Sequence, residues 1–420
     1  MKTARYALTA PVTLRTLLSG PGFNNSVGKI DMITLAIAGK PNCGKSSFFK
    51  AATMAQVEIA NYPFTTIDAN HGVAYVRTAC PCTEMGVPCD ACTDGARFVP
   101  IGLIDVAGLV PDAHKGRGLG NQFLDHLRQA DAILHILDAS GGTDTEGNPV
   151  EIGSHDPRED IVFLQREMSM WVYGILDKHW PKLIRQAQQR NFSLINAVAD
   201  VFAGLGVTVE DVREAALSLD VDLREAGEEE LVQFCEHLVR SSKPMVLVAN
   251  KADQAPGTML EQLGECGAIP SSAVAELALR MAAKNTLIRY LPGDPSFAVK
   301  DEAALSPAQR AGLKTIEDVM NCLGGTGVQE ALNHAVFSLL DMIVVFPVED
   351  EHKLTDGKGR VLPDAFLMKR GSTPHDLAFQ VHSDIGEGFL YAVDARKAMR
   401  IKENHELQHG DIIKIVSVRK

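Results

Sequence analysis

Eight consecutive residues constrain this chain more than any others. Gly39-Lys40-Pro41-Asn42-Cys43-Gly44-Lys45-Ser46 follows the apolar run Ile33–Ala38 and precedes a helix-compatible stretch, Ser47–Met54. The order of strand, G-x-x-x-x-G-K-S and helix predicts a phosphate-binding loop in an α/β fold. Gly39 and Gly44 let the backbone curl until its N–H groups face phosphate oxygens. The N-terminus of the following helix adds a favourable potential for the anion. Pro41, Asn42, Cys43 and Ser47 complete the expected lining. Lys45 is expected on the β- and γ-phosphates, with the Ser46 hydroxyl on Mg2+.

Further motifs follow in order. Asp105-Val106-Ala107-Gly108 closes a second strand-like run. Asp105 is placed to hold Mg2+ through water, and Gly108 to offer its N–H to a γ-phosphate. Asn61-Tyr62-Pro63-Phe64-Thr65-Thr66 lies between these motifs, where a switch threonine belongs, and Thr66 is the favoured Mg2+ ligand. Lys243–Asp253 reads as a strand ending in N-K-x-D. Asp253 matches the N1–H and 2-amino donors of guanine, a pair that adenine lacks. Asn250 is expected to tie its loop to the phosphate loop, and Lys251 to lie along the base. Ser271-Ser272-Ala273 is the expected source of a backbone N–H for guanine O6, so Ser272 and Ala273 join the nucleotide set.

The net charge of -12, from 41 basic and 53 acidic residues, argues against a general nucleic-acid coat. No apolar run is long enough to suggest a membrane span. Residues 1–31 read as an extension of uncertain role, with Met32 suited to be an alternative first residue and a signal peptide only weakly indicated. Cys80, Cys82, Cys89 and Cys92 fall within thirteen residues and suggest a reducing, cytoplasmic setting. Structural Zn2+ is one reading of this C-x-C…C-x-x-C cluster. Free thiols, a redox pair and an iron–sulfur cluster stay open. Its place between Thr66 and Asp105 suggests a metal that stiffens the rim beside the switches.

The strings GKPNCGKS, NYPFTT and DVAGLVPDAHKGRGLGNQFLDHLRQAD resemble the Obg-related, YchF-like family of translation-factor-class P-loop GTPases, in its archaeal-type branch. The likeness covers nearly all of residues 32–420. It implies a G domain with an inserted helical domain and a small ubiquitin-like α+β domain, TGS, at the C-terminus. Family members with an altered base-reading motif favour ATP, whereas here Asn250-Lys251-Ala252-Asp253 is intact, which favours GTP. Leu109 stands where many GTPases place a water-orienting glutamine, so slow turnover is expected. The resemblance further implies a K+ role for Asn42, which with Lys45, Thr66 and Gly108 forms the expected catalytic set. His155 is a catalytic candidate, although Val150 occupies the position that matches the family's histidine. Glycines 116, 118 and 120, beside Lys115 and Arg117, give the second switch its freedom.

The expected organisation is an extension at 1–31 and a first G-domain part at 32–140 with the cysteine insertion at 80–92. An acidic helical insert follows at 141–243, then a second G-domain part with helical linker at 244–340 and a TGS-like domain at 341–420. The insert carries 19 acidic against 10 basic residues. Helices are expected near 159–178, 181–190 and 208–240, with Trp171 and Trp180 in their core. Lys369, Arg370, Arg396, Lys397, Arg400 and Lys402 are candidates for a local RNA-facing patch. The leading reading is a Mg2+-dependent GTPase switch that binds GTP and GDP and meets the ribosome or associated RNA and protein, without DNA specificity or a membrane partner. The alternatives are an Obg-like ATPase and a nucleotide-gated binding module with negligible turnover.

Overall fold

The computed structural model describes residues 32–54, 70–108, 126–189 and 191–418. The expected switch residues Thr65, Thr66, Leu109, Lys115 and Arg117, and Gly116, Gly118 and Gly120, lie outside them.

A six-stranded sheet of order β2-β3-β1-β4-β5-β6 organises the described residues from Thr34 to Pro270. Its strands are β1 (Thr34–Ala38), β2 (His71–Ala79), β3 (Ala96–Asp105), β4 (Ala132–Asp138), β5 (Met245–Asn250) and β6 (Ile269–Pro270). All pairings are parallel except β2–β3. Strand β1 shows why the sheet is covered on both faces. Its side chains alternate, so Leu35 and Ile37 enter one apolar cluster while Ala36 and Ala38 enter another. Helix α1 (Lys45–Thr53) packs Phe48 and Ala52 into the first cluster.

The second cluster joins the sheet to the helical insert. The insert differs from expectation in three places. The segments 159–178 and 181–190 are one helix, Pro157–Ala187, which continues through Pro181. Proline removes a helical hydrogen bond, yet Leu176 and Leu183 on either side are buried in the same core. A helix at Leu194–Phe202, capped by Ser193, was not anticipated. The stretch 208–240 divides into Val209–Ser218 and Glu228–Ser242. Trp171 and Trp180 pack against this core.

Strands β7 (Ile288–Arg289) and β8 (Ala298–Val299) pair with each other alone, and five strands of order β10-β9-β13-β11-β12 form the C-terminal sheet: β9 (Met342–Val348), β10 (Phe366–Lys369), β11 (Phe389–Asp394), β12 (Met399–Ile401) and β13 (Ile412–Ser417). Helix Pro374–Val381 begins at the Thr373 cap. Strand β9 faces two ways: Ile343 and Val345 belong to this domain's own core, whereas Val344 and Phe346 join the cluster of the large sheet. Of the six basic candidates Lys369 and Lys402 are exposed, and the other four have partners within the protein. Arg370 pairs with Asp341 at 2.7 Å, Lys397 with Asp394 at 3.0 Å and Arg396 with Glu84, while Arg400 lies 4.0 Å over the Tyr391 ring. Among the described residues, no helix is long and apolar enough to cross a membrane.

Candidate nucleotide site

The phosphate loop connects the end of β1 to α1, at the carboxyl ends of the parallel strands. Gly44 has φ +100, and a Cβ there would fall 2.2 Å from Asn250 Nδ2. Glycine is required by both the dihedral and the close approach. Lys45 is buried, and its ammonium donates to Lys40 O at 2.7 Å, inside the loop. Gly108 faces the same point, since a Cβ on it would lie 3.1 Å from Lys45 Nζ. The Ser46 hydroxyl donates to Asp105 Oδ2 at 3.1 Å, so the two oxygen groups expected around Mg2+ converge. Burial raises the Asp105 pKa, partly offset by the Ser46 hydrogen bond and by Lys45. Ser47 is half-buried in the first turn of α1, and Cys43 is fully buried.

Asn250 joins three segments. Its Nδ2 donates to Cys43 O at 3.0 Å, and its Oδ1 accepts from Ala273 N at 3.1 Å. The expected tie to the phosphate loop is therefore present. In the second of these bonds the Ala273 N–H is given to a side chain of the protein. Ser272 N donates to Thr326 O at 2.9 Å, and its hydroxyl caps helix Ala273–Lys284 through Ala275 N. Both residues hold the base-side loop together. The next first-turn N–H, that of Val274, precedes any intrahelical acceptor. One helical turn on, buried Glu276 accepts from Arg280 Nε, Tyr290 Oη and Thr326 Oγ1, each at 2.5 Å. Asp253 is exposed in the turn after β5.

Several partners were not legible in the sequence. Asp138, at the end of β4, receives Lys251 Nζ at 2.8 Å, Ser140 Oγ at 2.6 Å and Thr143 Oγ1 at 2.8 Å. Burial works against its charge, but these donors outweigh burial and hold its pKa below the usual carboxylate range. Lys251 itself has φ +59, so its loop is fixed by this anchor. His135 lies on β4 beside Ala38. Burial and Lys45 push its pKa down to about 3, so it is neutral beneath the loop.

Asn42 and His155 each bond to other parts of the protein. Asn42 Nδ2 donates to Gly147 O at 3.0 Å, tying the phosphate loop to the turn after β4. Gly147 permits this approach, because a Cβ there would lie 2.6 Å from Pro41 O. His155 is buried and bonds Asp160 Oδ1 through Nε2 at 2.9 Å. Asp160 also pairs at 2.9 Å with Lys40, which is 2% exposed and donates to Thr143 O. His155 thus belongs to a buried polar cluster with Asp160 and Lys40 behind the loop. Val150 is exposed.

The cysteines Cys80, Cys82, Cys89 and Cys92 come together, with every Sγ within 4.8 Å of the others. Their expected place beside the switches is wrong. Strands β2 and β3 pair through nine residues from His71↔Ile104 to Ala79↔Ala96. Asp105 is at one end of this hairpin and the cysteines are at the other, roughly 27 Å away.

This sheet order, phosphate loop and base-side loop define a P-loop NTPase G domain carrying a separate α+β module. The family model described as "50S ribosome-binding GTPase" matches residues 34–165. "Obg-like GTPase YGR210-like, G4 motif-containing domain" matches 248–350, and "TGS domain" matches 354–417. A GTP-binding protein of Methanocaldococcus jannaschii is 48% identical over 93% of this chain and 100% of its own length. The crystal structure of a GTP-binding protein from Pyrococcus horikoshii OT3 matches with a TM-score of 0.72 and 40% identity, over 92% of this chain and 100% of that one. The ribosome-binding ATPase YchF of Bacillus subtilis is 28% identical over 91% of this chain and 98% of its own. The chain belongs to the Obg/YchF-like P-loop GTPase family with a C-terminal TGS domain.

Proposed function

We propose that this NTPase is a cytoplasmic, Mg2+-dependent switch that hydrolyses GTP to GDP and phosphate and signals its nucleotide state to the ribosome or its associated factors. The observation that carries the guanine reading is the base-side loop. Asn250 anchors it to Cys43 and Ala273, and Lys251 is held by Asp138, while Asp253 stays exposed to accept from a base. The matched family description that includes a G4 motif supports the same reading. The ribosomal partner is supported by the description "50S ribosome-binding GTPase" and by the name of the Bacillus subtilis relative.

The donor set fits magnesium, since a hydroxyl and a carboxylate converge in Ser46 and Asp105 and hard oxygen ligands suit that ion. Bound Mg2+ would neutralise charge on the β- and γ-phosphates. Lys45 moves from Lys40 O to the phosphates, and Gly108 lends its N–H as water attacks in line. A potassium role for Asn42 would use its Oδ1, because Nδ2 is given to Gly147.

A second reading, ATP hydrolysis, is favoured by relatives that bear the name ATPase. Binding of GDP, ADP and the non-hydrolysable triphosphate analogues, with Mg2+ and K+, separates the two. Guanine preference that falls about 100-fold in Asp253→Asn, which keeps one neutral acceptor and sets an amide donor against a base donor, supports GTP. Equal or tighter adenine binding refutes it.

A further inference from the structure

We propose that Cys80, Cys82, Cys89 and Cys92 form a tetrathiolate zinc site whose metal locks the β2–β3 hairpin onto the C-terminal domain. The local sequence builds the site from two short arms. Cys80 follows β2 and caps a short helix, Pro81–Met85, which stops at the left-handed Gly86. The second arm, Cys89 to Cys92, returns through Thr93 and Ala96, which exchange backbone bonds of 3.0 and 2.8 Å around Asp94-Gly95. Both turn residues have positive φ, +51 and +77, which suits a two-residue hairpin loop. The arms bring four sulfurs together where nothing else in the sequence distance requires it.

Sulfur spacing selects the occupant. Zinc bonds of about 2.3 Å in a tetrahedron put sulfurs about 3.8 Å apart. The Sγ atoms lie within 4.8 Å of one another, and Cys82 and Cys92 are 3.4 Å apart. A disulfide needs about 2.05 Å, and all eight cysteines are free. An iron–sulfur cluster interposes irons and sulfides among its thiolates, so it suits a wider ring of cysteines.

The site is also the contact point between domains. Cys89 Sγ lies 3.7 Å from Val361 O. Arg97, 5% exposed, donates to Ala91 O at 2.8 Å and to Pro363 O at 2.6 Å. It thereby binds the cysteine arm and the C-terminal domain at once. Thr78 and His409 add a 2.8 Å hydrogen bond. Between the cysteine arm and the strap Gly359–Ala365, however, there is a cavity of about 480 Å3. Packing there is incomplete, so the strap depends on the rigidity of the arm it meets. A segment this short has little core of its own, and a metal supplies the missing constraint.

The inference is independent of the nucleotide reading and is tested on the full chain. Elemental analysis after purification under reducing, zinc-replete conditions is expected to give one zinc per chain. Cobalt exchange is expected to give the absorption of a tetrahedral thiolate site. Cys89→Ser/Cys92→Ser is expected to lose the metal, whereas Cys266→Ser keeps it. Hydrogen exchange in residues 359–365 should then accelerate about tenfold, with nucleotide binding at the distant loop changed less than twofold. If the double variant does not fold, the wild-type chain stripped with a chelator and reloaded with zinc gives the same comparison. Absence of zinc, iron in its place, a disulfide among the four cysteines, or unchanged exchange on metal removal overturns the proposal.

Discussion

Asp138→Asn is the most informative single change at the nucleotide site. The substitution keeps shape and keeps the acceptor for Ser140, whose hydroxyl and N–H both address Oδ1. The new amide faces Thr143 and Lys251. Thr143 can rotate its hydroxyl and accept from it, but an ammonium has no acceptor to offer. The loss is therefore confined to the Lys251 bond of 2.8 Å. Hydrogen bonds to charged groups contribute about 1.5–3 kcal/mol. Lys251 is 26% exposed and partly regains hydration when released, so the lower end applies, about 1.5 kcal/mol. That corresponds to about a tenfold loss in GDP affinity by calorimetry. Lys251→Ala should add little in the Asp138→Asn background, because the two changes remove the same interaction. GDP affinity within twofold of wild type, in a variant that melts normally, would refute the claim that Asp138 sets the Lys251 loop.

The same carboxylate gives a pH signature. Its folded pKa is depressed, so its stabilisation is complete above the unfolded value of about 3.9 and is lost as pH falls through the folded value. Acid titration below about pH 4 should therefore destabilise wild type more steeply than Asp138→Asn, as followed by circular dichroism. Gly44→Ala should weaken nucleotide binding by at least about 100-fold, since its Cβ would sit 2.2 Å from Asn250 Nδ2 at a dihedral unfavourable for alanine; near-normal calorimetric binding would contradict this. Glu276→Ala removes the buried acceptor shared by Arg280, Tyr290 and Thr326 and should cost about 3–5 kcal/mol in urea unfolding; a loss below about 1 kcal/mol would show that this carboxylate is not a structural anchor.

The residues legible in sequence were those whose chemistry is written in contiguous words. Lys45, Ser46 and Asp105 converge as their motifs imply, because each motif ends a strand of one parallel sheet. Asn250 was readable for the same reason. Asp138 was not, since a lone aspartate closing a strand has no motif, and its partner Lys251 is 113 residues away. The bond of Asn42 to Gly147 was not legible either, because it spans 105 residues. The cysteine site was found by spacing but misplaced, because nearness in sequence to the switches ignores an antiparallel hairpin that carries it to the opposite end of the sheet. The segments expected at 159–178 and 181–190 are one helix, because burial of the leucines flanking Pro181 outweighs its missing hydrogen bond.

Strand β1 offers a way to separate the two appended bodies genetically. Ala36 and Ala38 meet the acidic helices on one side, and Leu35 and Ile37 meet the cluster shared with the C-terminal domain on the other. Neighbouring positions of one short strand thus address different appendages of the phosphate loop. Paired substitutions such as Ala36→Gly and Ile37→Val, each small enough to preserve folding, form a natural set for learning which appendage reports the nucleotide state to a partner.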